Sequence, residues 1–297
     1  MTLSQSPIHR LAGAAFVALG LTALQAPAHA GLVTFETAGT NAAAITPTRD
    51  AFRTAIGGGT TAGANGSFGG IRREINWDGV PDARADPNAL PANFFNVNSP
   101  RGAVFSTPGT GFLVSANSGV GPPILFGFPS DLQVFSAQRL FVATGSTITD
   151  VSFFVPGTST PATTSAFGAV FTDVEVANLT KIEFFDVFSN LIYSQFVQAT
   201  GNQGLSFTGA VANAGESIAR VRITAGDNPI VSNGVLANAG GDFVAMDDFI
   251  YAATAQVPEP ASIAVLGFAL AGLAAARRHG RREGVSRVSG TILSPRT

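Results

Sequence analysis

Three apolar patterns follow one another along the chain. The first is an unbroken run from Leu11 to Leu24, preceded by His9 and Arg10 and followed by Ala28-His29-Ala30. A basic start, an apolar stretch of about 7–15 residues and a small-x-small end make a cleavable export signal. This predicts a signal peptide over residues 1–30, with Ala28 and Ala30 read by signal peptidase and a mature chain starting at Gly31. The last pattern is the uncharged run Ala261 to Ala276, closed by Arg277, Arg278, Arg281 and Arg282. As a helix it covers about 24 Å at 1.5 Å per residue, just short of what spans a hydrocarbon core. Rich in Ala and Gly, it predicts a single weak transmembrane helix, stopped on the cytoplasmic side by Arg277 and Arg278.

The middle pattern, residues 31–256, consists of short runs rich in Val, Ile, Phe and Thr. They are Leu32 to Glu36, Ile71 to Trp77, Ala103 to Phe105, Phe112 to Val114, Ile124 to Phe128, Leu132 to Phe135, Arg139 to Ala143 and Ile148 to Val155. Phe167 to Val176, Lys181 to Val187, Leu191 to Gln198, Leu205 to Thr208, Ile218 to Thr224 and Phe243 to Tyr251 continue the series. Such runs between Gly, Pro and Asn turns predict strands. Pro108-Gly109 favours a type II turn, and so a hairpin between Ala103–Phe105 and Phe112–Val114. Residues 57–70 predict a flexible loop. Residues 78–98, with Pro81, Pro87 and Pro91, predict irregular structure. No stretch sustains a helical period and no fixed repeat is present. The expectation is an all-β domain over residues 31–256, a β-sandwich or jelly roll.

Composition narrows the chemistry. Of 297 residues none is cysteine, which excludes disulfides, thiol catalysis and cysteine-zinc sites. His9, His29 and His279 all fall in the predicted signal segments, so the mature domain has no His for a nucleophile–base pair or a zinc site. Carboxylates remain as the only acid–base groups. Between residues 31 and 256 seventeen acids face ten bases, against a net charge of −2 for the whole chain. An acidic body argues against nucleic acid as partner. With 24 Phe against two Tyr and one Trp, most aromatic mass suits a core.

Val257-Pro258-Glu259-Pro260, the Ala/Leu/Gly-rich span and Arg277-Arg278 resemble the PEP-CTERM sorting signal of Gram-negative bacteria. The resemblance covers residues 257–282; residues 283–297 run past the family's usual end as a tail expected to be disordered. It implies recognition of Pro258, Glu259 and Pro260 by the membrane protease exosortase. A transient inner-membrane anchor would then give way to release at the cell surface, in a setting of exopolysaccharide and biofilm matrix. The two prolines bias the segment toward an extended backbone, which suits a protease cleft. Within the body, Phe167 to Val174, Ile182 to Asp186, Ala219 to Ile223 and Met246 to Phe249 are similar to exported bacterial proteins with jelly-roll ectodomains like those of carbohydrate-binding modules.

That second resemblance implies that the first and last strands lie together and hold a structural calcium, with Glu36 and Asp247 or Asp248 as ligands and Asp173 added. Asp173 and Glu175, two apart, would share a strand face, and calcium favours carboxylate oxygen. Against this stands the plainer reading of strand-end acids facing water. Trp77 and Asp78 are the candidates for stacking on a sugar ring and binding its hydroxyls, against a buried loop anchor. Asp78, Asp82 and Asp86 lack the ligand spacing of an EF-hand loop. The function expected is an exported, non-enzymatic surface or matrix protein associated with extracellular polysaccharide. The alternatives are a carboxylate-dependent glycan-active enzyme and a structural or adhesive protein that binds another protein.

Overall fold

The computed structural model describes residues 31–59, 70–116, 125–232 and 234–257. The signal peptide, the span from 261 to 276, the arginine cluster and the tail lie outside the described residues. In chain order the elements are β1 (Leu32–Gly39), α1 (Ala42–Ile56), β2 (Arg72–Ile75), α2 (Phe94–Val97), β3 (Ala103–Ser106), β4 (Gly111–Val114), β5 (Phe141–Thr144), β6 (Ile148–Phe153) and β7 (Ala162–Thr163). They continue with β8 (Ala166–Thr172), β9 (Lys181–Phe185), β10 (Leu191–Phe196), β11 (Leu205–Ala212), β12 (Arg220–Thr224), β13 (Ile230–Ser232), β14 (Val235–Leu236), β15 (Ala245–Ala252) and β16 (Ala255–Gln256). The fold is mostly β. No helix among the described residues is long and apolar enough to cross a membrane.

A nine-stranded sheet runs β1-β11-β8-β15-β5-β13-β14, with β2 added on β15 and β4 on β5. A five-stranded sheet runs β10-β9-β12-β6-β3, and β16 pairs with β7 apart from both. Alternation along β8 shows how the layers stack. Phe167, Ala169 and Phe171 enter the main core, while Ala166 and Val170 face the other way, toward α1. The main core combines both sheets: Phe105, Val151, Phe153, Ile182, Phe184 and Val221 from the small one meet Phe141, Phe167, Phe249 and Tyr251 from the large one. The phenylalanine surplus therefore fills the core shared by the two sheets, where a ring with no polar tip needs no partner.

Four sequence expectations need correction. Residues 42–56 form a helix of just over four turns, although the sequence shows no helical period there. Its inward face carries Ile45, Arg49, Phe52, Arg53 and Ile56, so arginines break the apolar stripe that would mark a helix, and Pro47 interrupts the rest. Asn41 caps the helix, its side chain accepting from the Ala44 N–H. Phe52 sits on a flat patch made by the paired Gly168 and Gly209; a Cβ on Gly168 would meet its ring at 3.0 Å.

The second correction concerns Pro108-Gly109, which makes no hairpin. β3 pairs β6 in the small sheet and β4 pairs β5 in the large one, so the turn carries the chain between layers. Gly109 is required there, because a Cβ would lie 2.0 Å from the Thr144 carbonyl oxygen. Third, the predicted strands at 124–128 and 132–135 are a 3-10 turn and irregular chain, with Leu125 and Phe126 in left-handed backbone. Their apolar residues plug a separate cluster, Phe126 and Leu132 packing with Leu140, Val142 and Phe243 on the outer face of the large sheet. Fourth, β8 ends at Thr172 and Asp173 turns at φ 70°, so Asp173 and Glu175 do not share a strand face.

Candidate functional site

A dense polar cluster among the described residues starts from a misfit in β15. Met246 pairs with Phe171 and Phe249 with Ala169, which leaves two residues, Asp247 and Asp248, opposite the single Val170. An extra residue in one strand is a β-bulge, and it breaks the alternation of faces. Met246 and Phe249 both enter the main core. Asp247 and Asp248 therefore both turn to the outer face, under α1 and the 132–139 segment.

Both carboxylates are buried there, Asp247 at 0% exposure and Asp248 at 4%. Asp247 Oδ2 accepts from the N–H groups of Phe135 (2.6 Å) and Ser136 (3.2 Å). The Ser136 hydroxyl lies 3.0 Å from Asp247 Oδ1 and 2.9 Å from Asp248 Oδ1. Asp248 Oδ2 is 3.7 Å from Arg49 of α1, and the Arg49 guanidinium lies over the Phe135 ring at 4.8 Å. Burial, followed by the neighbouring Asp248, holds Asp247 well above the usual carboxylate range; burial also raises Asp248 against the pull of Ser136 and Arg49. Burial and the neighbouring Asp248 make ionisation of Asp247 costly, while Arg49 and Arg53 partly offset that cost at Asp248. Closed to solvent, the pair works as a clamp that ties helix and loop to the sheet, and it is not placed to meet a substrate.

Trp77 and Asp78 belong to the same construction. Trp77 is 1% exposed, stacks on Phe141 at 4.1 Å, meets Phe95 and Phe249 edge-on, and donates its Nε1–H to the Asp247 carbonyl at 2.7 Å. A ring so enclosed has no face for a sugar. Asp78 Oδ1 accepts from the backbone N–H groups of Gln138 and Arg139, and burial raises its pKa. The structure thus joins Trp77, Asp78, Asp247 and Asp248, which sequence reasoning had assigned to two different sites. It leaves the other two out.

Glu36 lies on β1, and β11 and β8 intervene before β15; its partner is the Gln195 amide at 3.0 Å. Asp173 sits at the end of β8, where Gln203 N–H donates to it at 3.3 Å. Burial and then Glu175, with smaller effects from Asp131 and Asp242, push it up to about 7. The expected calcium ligands therefore do not converge. Among the described residues no group of three or more His, Cys, Asp or Glu side chains is arranged to hold a metal.

A cleft of about 340 Å³ opens beside the clamp, lined by Asp82, Asp86, Asn88 and Arg139 among alanine and proline. The Arg139 side chain is buried; it donates to the Ser115 carbonyl at 3.1 Å and to Asp82, whose own side chain is 55% exposed. A carboxylate held by a fixed guanidinium next to an amide suits hydroxyl groups. Asp78, Asp82 and Asp86, which lack EF-hand spacing, do not point to this place in the sequence, and Arg139 arrives from β5's approach and could not be read with them.

β16 is the last strand among the described residues. Ala255 pairs with Thr163 and Gln256 with Ala162, and Val257 N–H donates to the Pro161 carbonyl at 3.2 Å. Pro258, Glu259 and Pro260 follow in the sequence, outside the described residues. Residues 256–282 match the PEP-CTERM protein-sorting motif. The motif implies exosortase-dependent export to the cell surface. No curated protein matches the chain. Among solved structures, the crystal structure of the enzymatically active domain of bacteriophage CBA120 tailspike protein 4 matches at 15% identity and a TM-score of 0.25. That match covers 54% of this chain and 20% of the tailspike chain. At so low a score the tailspike's activity has no bearing on this protein.

Proposed function

We propose that this protein is an exosortase-processed surface or matrix component that acts by binding, in association with exopolysaccharide. The observation that carries the reading is the sorting motif at residues 256–282, starting on the last paired strand among the described residues. On this reading the span from Ala261 to Ala276 is a temporary inner-membrane tether, and Pro258, Glu259 and Pro260 are read by the protease. Two features support binding over catalysis. The mature domain has no His or Cys, and its buried acid pair is shut away from solvent. On this reading a polyhydroxyl ligand binds in the Asp82–Asn88 cleft, whose lining offers Asp82, Asn88 and Arg139.

Replacing Glu259 by Ala in the full chain, in a host with the processing protease, tests the route. The precursor should accumulate in the membrane fraction while released protein falls about tenfold or more. Release at the original rate would refute the sorting role. Asp82→Asn tests the cleft: retention on an immobilised glycan should drop, with no reducing-sugar release from either form. Turnover that vanishes with Asp82→Asn would replace binding by carboxylate catalysis.

A further inference from the structure

The sorting motif and the fold share backbone. The matched segment begins at Gln256, which is itself the second residue of β16 and is paired with Ala162. Val257, the last of the described residues, donates its N–H to the Pro161 carbonyl. Only one residue stands between that hydrogen bond and Glu259. An extended residue spans at most about 3.6 Å, so the glutamate is tethered within about two residues' reach of the folded surface. A protease that takes its substrate as an extended strand needs the backbone groups on both sides of the motif. On the N-terminal side those groups are already committed to β7.

We infer that β16 is a latch: its pairing with β7 and exosortase engagement of the motif exclude each other, so processing acts on the molecule with β16 released. This rests on the sorting reading above. The latch is built to open. It is a ladder of two residue pairs outside both large sheets, and both residues of β16 are exposed. β7, by contrast, is buried and continues into fixed structure, Thr164 donating its hydroxyl to the Ala252 carbonyl at 2.8 Å. Opening can therefore peel β16 without disturbing the sandwich. A competent state that is only partly populated lowers the apparent affinity by that fraction, so the strength of this short ladder sets the processing rate.

The absence of cysteine from the whole chain makes a clean test available. Ala255 and Thr163 are direct antiparallel partners, and such pairs have Cα atoms about 4.5–5.5 Å apart, within disulfide range. The full-length double variant Thr163→Cys/Ala255→Cys, cross-linked on export, should be processed at least about tenfold more slowly than wild type. Reductant and either single variant should restore the rate, which separates the latch from damage to the fold. Ala255→Pro, which weakens the ladder, should be processed faster than wild type. Wild-type processing of a chain shown by mass to be cross-linked would overturn the latch. If the Glu259→Ala variant is also processed normally, the sorting reading falls with it; if Glu259→Ala is blocked, the latch alone is lost.

Discussion

The two faces of the large sheet solve the problem of burial in opposite ways. The inner face is aromatic: Trp77 lies flat on Phe141, which stacks on Phe112 at 5.4 Å, while Phe105 and Phe249 close the sides at 5.1 and 5.9 Å from Phe141. The outer face buries charge. Asp247 and Asp248 sit under Arg49, and Arg53 and Arg72 converge on Glu74. Apolar burial gains roughly 25 cal/mol per Å² with no geometric condition. Buried charge is tolerated only when every partner is in place, and it is costly once one is removed. The inner face should thus resist in proportion to volume removed, and the outer face in proportion to hydrogen bonds broken.

The largest effect belongs to the inner face. Phe141→Ala removes the ring that touches Trp77, Phe105, Phe112 and Phe249, and should cost about 3–5 kcal/mol in denaturant unfolding of the ectodomain. Trp77 fluorescence reports the same transition, since the tryptophan is the only one in the chain and loses its stacking partner. A loss below about 1 kcal/mol would mean that the aromatic cluster is not the centre of stability.

A smaller effect should follow at the bulge, and here chemistry rather than size decides. Asp247→Ala strips the acceptor from two backbone N–H groups and one hydroxyl, which should cost about 2 kcal/mol. Amide exchange over residues 132–139 should rise with it. Asp247→Asn keeps an acceptor oxygen and discards the charge that burial opposes, so it should come close to neutral. Equal losses for the two variants would show that the charge itself holds the clamp.

This division also explains what could be read in advance. Val, Ile and Phe alternation marked most strands and the all-β character of the fold, because a pattern of period two reports which face meets an apolar neighbour. α1 stayed hidden because its inward positions include Arg49 and Arg53, whose partners Asp248 and Glu74 lie far away in sequence. The bulge was hidden for a related reason: Asp247-Asp248 reads as a strand end facing water until β8 supplies one residue where β15 supplies two. Glu36 misled because a shared strand position in a resembling fold says nothing about how many strands intervene. The sorting motif was legible in full, since a protease must read it from the sequence too.

The smallest effect separates the clamp from the other acids of the outer rim and turns on sign. Asp173 stands at about 7 when folded, against 3.8 for the free group. A raised carboxyl binds its proton more tightly in the fold, so its contribution is full below about pH 4 and disappears as pH rises through 7. Asp247 and Asp248 are shifted in the same direction. Asp150 is shifted the other way: its hydrogen bonds to Arg222 and Arg220 outweigh burial and hold it below the usual range, so its contribution is lost in acid. Together they place the highest thermal midpoint at mildly acidic pH, with an alkaline limb from the buried acids and an acid limb from Asp150. Asp173→Asn should flatten the fall between about pH 4 and 7 by roughly 1 kcal/mol, allowing for solvent screening, and leave the loss that follows Asp150 in acid unchanged. An alkaline limb that survives Asp173→Asn and disappears with Asp247→Asn would move the titration from the rim to the clamp.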